Sequence, residues 1–100
     1  PEKFGDFKIL AAGRTDRFFK NGAKVGDQER QIISIPDRGQ NDTFIALSHY
    51  VVGATSDIFS SRIDSKSKTE FEICIRTLQA FTGAAASNVT VCADYIVIGI

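Results

Sequence analysis

One hundred residues with twelve basic and twelve acidic side chains carry no formal net charge and suit one domain with one hydrophobic core. The balance excludes the basic excess with which nucleic-acid binders displace phosphate counterions. No run reaches the ~18 apolar residues of a spanning helix, so helical membrane insertion is excluded too.

The chain opens PEKFGDFKIL, with no initiator Met and no signal-peptide shape, and holds no Met anywhere. It is expected to be cut from something longer, as a single domain over residues 1–100 at a C-terminal end. Residues 4–10 read as a first strand, with Phe7 and Ile9 alternating against Lys8. Residues 13–26, carrying Arg14, Asp16, Arg17, Lys20 and Asn21 between glycines, read as a long irregular connection. Residues 28–35 alternate weakly and stop at Pro36, which cannot donate to a ladder. PDRGQND is a turn, each of its Pro, Asp, Gly and Asn residues favouring one for its own reason.

FIALSHYVV, residues 44–52, is nearly continuous in apolar character, as expected of a strand covered on both sides. Gly53 ends it. Residues 58–63 form a fourth strand, DSKSK a polar turn, and residues 70–77 a fifth. There Phe71, Ile73 and Ile75 alternate with Glu72, Cys74 and Arg76. TGAAASN is a small-residue loop or short helical turn, because three alanines cannot nucleate a helix alone. Residues 89–100 form the last strand. Six short strands punctuated by turns indicate an all-β fold, a six-stranded antiparallel β-sandwich.

The last strand puts Val89, Val91, Ala93, Tyr95 and Val97 on one face. Asp94 marks the other as wet, yet Ile96, Ile98 and Ile100 make that second face apolar as well. A lone sandwich keeps the outer face of a sheet in water, so Ile96, Ile98 and Ile100 are expected to form an oligomer interface, unless a loop of the same chain covers them.

Chemistry-bearing motifs are sparse. Cys74 and Cys92 lack metal-ligand spacing; they form either one disulfide or two small buried groups. No metal and no cofactor is expected. His49, the sole histidine, shares a face with Ile45, Leu47 and Val51 and reads as a hydrogen-bonded core or interface residue. Ser48, Ser60 and Asp94 would complete a Ser-His-Asp set by composition only, with no nucleophile elbow. Asp57, Asp64 and Glu72 belong to a domain too small for a glycosidase cleft. The glycines at 13, 22 and 26 have no phosphate-loop context and read as turn residues. Asn41 and Asn88 head glycosylation sequons, which suit an exported protein. No enzymatic activity is expected.

What remains is a set of loop residues able to hydrogen-bond a sugar: Arg14, Asp16, Asp27, Asp57, Arg62 and Gln79. Hydroxyls pair cooperatively with carboxylates, amides and guanidinium, and an aromatic ring covers the apolar side of a pyranose.

EKFGDFKI, RQIISIPDRGQNDTFIALSHYVV, KTEFEICIRT and ADYIVIGI together resemble the H-type lectin domain of snail agglutinins and discoidins over nearly the whole chain. The resemblance implies an H-type lectin-like sandwich that associates as a trimer or a dimer of trimers. It also implies non-catalytic binding of a cell-surface glycan at subunit boundaries, in an extracellular or virion-surface setting. Asp27 or Asp16 would supply the family's sugar-contacting aspartate, and Arg62 its fourth-strand arginine. Gln79 stands where the family often has a sugar-contacting histidine, and Leu78 where it commonly has Trp. Tyr50 or a Phe of the long loop would supply the ring. Domains of this kind also terminate phage and viral fibres, so the alternative is a structural trimerisation or receptor-binding knob of a fibre or adhesin, without its own sugar site.

Overall fold

The structure is a computed structural model and describes residues 8–19, 24–52, 58–78 and 89–100. Six strands make up the described chain: β1 (Lys8–Phe19), β2 (Gln28–Ser34), β3 (Thr43–Val52), β4 (Phe59–Asp64), β5 (Glu70–Thr77) and β6 (Val89–Gly99). They form two three-stranded antiparallel sheets, one ordered β1-β6-β3 (sheet A) and the other β2-β5-β4 (sheet B). The described residues contain no α-helix, and the architecture is the expected all-β antiparallel sandwich.

Alternation in the sequence becomes two layers facing each other. Phe71, Ile73 and Ile75 of β5 and Val89, Val91, Ala93 and Val97 of β6 are fully or almost fully buried, with Leu10, Phe19, Ile35 and Phe59 around them. Burying each large apolar side chain contributes ~1.5–3 kcal/mol, so this set is the main stabilising term. Phe19 meets Phe59 with ring centroids 5.0 Å apart, and Phe71 meets Tyr95 edge-on at 5.6 Å, so aromatic contacts tie sheet A to sheet B. His49 lies on the inner face with Ile45, Leu47 and Val51, as its position predicts. Its Nδ1 shares a 2.7 Å hydrogen bond with Ser61 Oγ from the opposite sheet.

The first strand departs from expectation. Residues 13–19, read as an irregular connection, continue β1, while residues 4–7 lie outside the described residues. The reason is pairing: β6 offers a partner at nearly every position from Gly99 to Val89, and β1 follows it to Phe19 with one register shift between Ile9 and Ala11. Arg14 and Asp16 looked like loop residues because they are charged, but they stand on the outward face, where charge is tolerated. Gly13 is likewise no turn residue. An added Cβ there would come 2.8 Å from Tyr95 Oη, so the missing side chain lets the ring lie over the backbone. Gly26 does sit in a turn, at φ +91°, and Gly22 lies outside the described residues.

β3 also departs. It is an edge strand whose residues alternate between half-buried and exposed, not a strand covered on both sides. Phe44, Tyr50 and Val52 point outward with their rings and branches in solvent. β4 begins one residue later than the pattern indicated, at Phe59.

The turn at residues 36–42 carries the chain from sheet B to sheet A. The Arg38 amide donates to Gln40 Oε1 at 2.7 Å, and Gln40 Nε2 donates to the carbonyls of Pro36 and Lys68, so one buried glutamine ties two connections together. Gly53 and the segment TGAAASN lie outside the described residues.

Candidate functional site

Two outward surfaces and one end of the sandwich hold the described residues expected to bind a sugar, while His49 lies between the sheets. On sheet A the register sets five rows across β1, β6 and β3: Ile9–Ile98–Phe44, Ala12–Ile96–Ala46, Arg14–Asp94–Ser48, Asp16–Cys92–Tyr50 and Phe18–Thr90–Val52. The outermost rows are apolar. Ile9 is 73% exposed, Phe44 58%, Val52 54% and Phe18 51%, while Ile96 and Ile100 stand 43% and 53% in solvent. No other described part of the chain covers them.

The middle of that face is polar. Arg14 Nε donates to Asp94 Oδ1 at 2.6 Å and Nη2 to Oδ2 at 3.2 Å, a two-pronged pair. Arg14 Nη1 donates to Tyr50 Oη at 3.1 Å, and the guanidinium carbon stands 5.2 Å from the Tyr50 ring centroid. These hydrogen bonds hold the Asp94 carboxyl below its ordinary range and raise the Arg14 guanidinium. Arg14 and Tyr50 roof Cys92, which is almost fully buried although it points outward. The thiol beside Tyr50 pushes the phenol up. A shallow depression of about 180 Å³ opens next to this cluster, lined by Ala46, Leu47, Ser48, Asp94, Tyr95 and Ile96. That is smaller than the ~300 Å³ at which ligand pockets begin, so the described part of one chain provides only a partial recess.

The outward face of sheet B is charged. Arg30 Nη1 donates to Glu72 Oε1 at 2.6 Å and to Asp64 Oδ2 at 3.0 Å, and Arg62 Nε reaches Asp64 Oδ1 at 3.0 Å. Arg62 is the largest influence holding the Asp64 carboxyl below its usual range. Arg30 and Arg62 flank Cys74 in the register and leave it buried.

These placements decide the cysteine question. Cys74 points outward from the centre of sheet B, and Cys92 outward from the centre of sheet A. Sheets in a sandwich pack ~10 Å apart, which puts the two thiols farther apart than a disulfide spans. Both are free. The Ser-His-Asp set is broken by the same logic: His49 points inward, whereas Ser48 and Asp94 share the outward face of sheet A and Ser60 lies in the Arg76 row of sheet B. Among the described residues no three His, Cys, Asp or Glu side chains cluster as metal ligands.

The residues expected to bind sugar are distributed as follows. Asp16 is on the outward face of sheet A, beside Cys92 and Tyr50. Arg62 is on the outward face of sheet B, and within one chain the two are on opposite sides. Asp27 sits in the turn before β2. Its Oδ2 accepts from the Lys24 amide at 2.8 Å, and its carbonyl accepts from the Thr77 amide at 2.9 Å. The Thr77 hydroxyl donates to the Lys24 carbonyl, so β5 clamps the turn. Asp57 and Gln79 lie outside the described residues, although their chain neighbours Ile58 and Leu78 are hydrogen-bonded to each other, Leu78 N to Ile58 O at 2.7 Å. The expected interface residues Ile96 and Ile100 are exposed, and Ile98 is half-buried beside Ile9 and Phe44. The Arg14–Asp94–Tyr50 cluster was not legible as a unit, because its members are 36 and 80 positions apart and meet only through the β1-β6-β3 register.

Comparison with protein families, with curated proteins and with solved structures finds no match to this chain.

Proposed function

We propose that this chain is a non-catalytic carbohydrate-binding domain of the H-type lectin kind, which assembles as a homotrimer through sheet A and attaches to cell-surface glycans. One observation carries the reading: the outward face of sheet A leaves Ile9, Phe18, Phe44, Val52, Ile96 and Ile100 in solvent, while the outward face of sheet B carries ion pairs and one large exposed apolar side chain, Ile32. Three strands of about ten residues span about 15 by 33 Å, a face whose apolar ends flank a polar middle, and exposed apolar side chains gathered on one face mark interaction sites. Burying it between copies would bring side chains from different chains to shared boundaries, where a partial recess could be completed. Weak single sites are then compensated by engaging several sugars at once. The setting would be extracellular or the surface of a virion.

A second reading, a structural trimerisation or receptor-binding knob, is favoured by the separation of Asp16, Asp27 and Arg62 within one chain. Glycan-array binding of the purified domain separates the two. Signal on a defined glycan class that Asp27→Ala abolishes supports the lectin. A trimer silent on every glycan supports the knob.

A further inference from the structure

The assembly part of the reading above leaves open how the copies are oriented, and the outward rows of sheet A restrict it. Consider first a two-fold axis lying across the strands. Placed at the Arg14 row, it stacks the Arg14–Asp94 pair on its own copy and sets the unpaired carboxylate of Asp16 against Ala12; an unpartnered carboxylate in an interface is unfavourable. An axis parallel to the strands instead brings the β1 side of one copy to the β3 side of the next at equal height. The rows then match: Ile9 meets Phe44, Ala12 meets Ala46, Arg14 meets Ser48, Asp16 meets Tyr50 and Phe18 meets Val52. Large apolar groups face large ones, and small face small. Asp94 turns toward the axis, but its two-pronged bond to Arg14 means that no unpaired charge enters with it.

One polar group still lacks a partner. Among the described residues the Asp16 carboxylate accepts no hydrogen bond; only its backbone carbonyl is used, by Arg17. Tyr50 Oη accepts from Arg14, and the thiol of Cys92 beside it is only a weak acceptor for the phenol proton. A carboxylate from the next copy is a far better acceptor. We infer that copies of this chain pack through sheet A about an axis parallel to its strands, with the Tyr50 hydroxyl of each copy donating to the Asp16 carboxylate of the next. The polar layer thereby fixes the height at which the apolar rows meet, a task that greasy surfaces alone perform poorly.

The test is a register-specific cross-link in the whole chain. Ala12→Cys and Ala46→Cys are combined; in one chain they are separated by β6, at about 10 Å, beyond disulfide reach, so any bond joins two copies. The expected result is an oxidised oligomer that a thiol reductant resolves to single chains, and no such product from Ala12→Cys with Ser48→Cys. Cross-linking through position 48, or none in a sample that sediments as an oligomer, overturns the register and leaves the assembly reading standing. An unmodified chain that sediments as a monomer overturns both. Separately, Tyr50→Phe and Asp16→Asn should each weaken self-association by roughly tenfold or more, and the pair together no further. Independent effects, or none, overturn the inter-copy hydrogen bond. Loss of glycan binding in Asp16→Asn with assembly intact would make Asp16 a sugar contact, overturning this inference but not the lectin reading.

Discussion

The outward faces of the two sheets are built on one plan and finished differently. Each central strand turns a cysteine outward, and each cysteine is roofed by arginine side chains bound to carboxylates: Arg14 with Asp94 over Cys92, Arg30 and Arg62 with Asp64 and Glu72 over Cys74. The difference lies beyond the roof. On sheet B the flanking outward positions are Gln28, Ser60, Arg76, Ser34 and Glu70, with Ile32 the main apolar exception. On sheet A they are Ile9, Phe44, Ile96, Phe18 and Val52. The same central device therefore sits in a water-facing surface on one side and in a contact surface on the other. A salt bridge by itself says little about the purpose of a face; its neighbours decide.

The sharpest reference point is the core that both sheets share. Phe71→Ala removes a fully buried ring that packs on Tyr95 across the sandwich and should cost ~3–5 kcal/mol, measured as a lower denaturant midpoint in the unassembled chain. It weakens both faces together and so sets the scale. A charge placed on each face separates them: Ile96→Lys on sheet A should abolish self-association in sedimentation at micromolar protein. Ile32→Lys on sheet B, at a position still more exposed, should leave it unchanged, with either variant altering the fold's own stability by no more than ~0.5 kcal/mol. Equal behaviour of the two variants would erase the distinction between the faces.

Smaller effects refine the picture. Ser61→Ala removes the inter-sheet partner of His49 and should destabilise by ~1 kcal/mol, read from the same denaturant curves. The smallest effect is on pH. Asp94 on sheet A and Asp64 on sheet B are each held below the usual carboxylate range by an arginine, and Asp42 by the Thr43 amide and Lys66. A carboxyl whose folded value is depressed contributes stability above its ordinary titration near pH ~4, and that contribution is lost as pH falls through the folded value. The thermal midpoint should therefore be flat from pH 7 to 5 and drop below 4. Asp64→Asn and Asp94→Asn should each flatten part of that drop.

Much of this was visible in the chain itself. Five of six strands could be read within a residue or so of their ends, because Phe71-Ile73-Ile75 and Val89-Val91-Ala93 alternate cleanly and Pro36 and DSKSK punctuate the pattern. β1 was the failure. Its charged residues look like a loop locally, and only the non-local partner β6 makes them a strand. The inward placement of His49 followed from its neighbours, but Ser61 as its partner did not, since nothing in the sequence ties position 49 to 61. The candidate site was least legible for the same reason: the residues that meet at Arg14 are brought together by sheet register, which single-sequence periodicity does not encode.

The roofed thiols have a practical consequence. Because Cys92 and Cys74 lie just beneath opposite surfaces, with no backbone layer above either, an alkylating reagent can reach each one by displacement of its own arginine lid, without global unfolding. Their labelling rates would act as two independent clocks, one per side of the molecule. Assembly through sheet A would slow the first and leave the second running at its former pace.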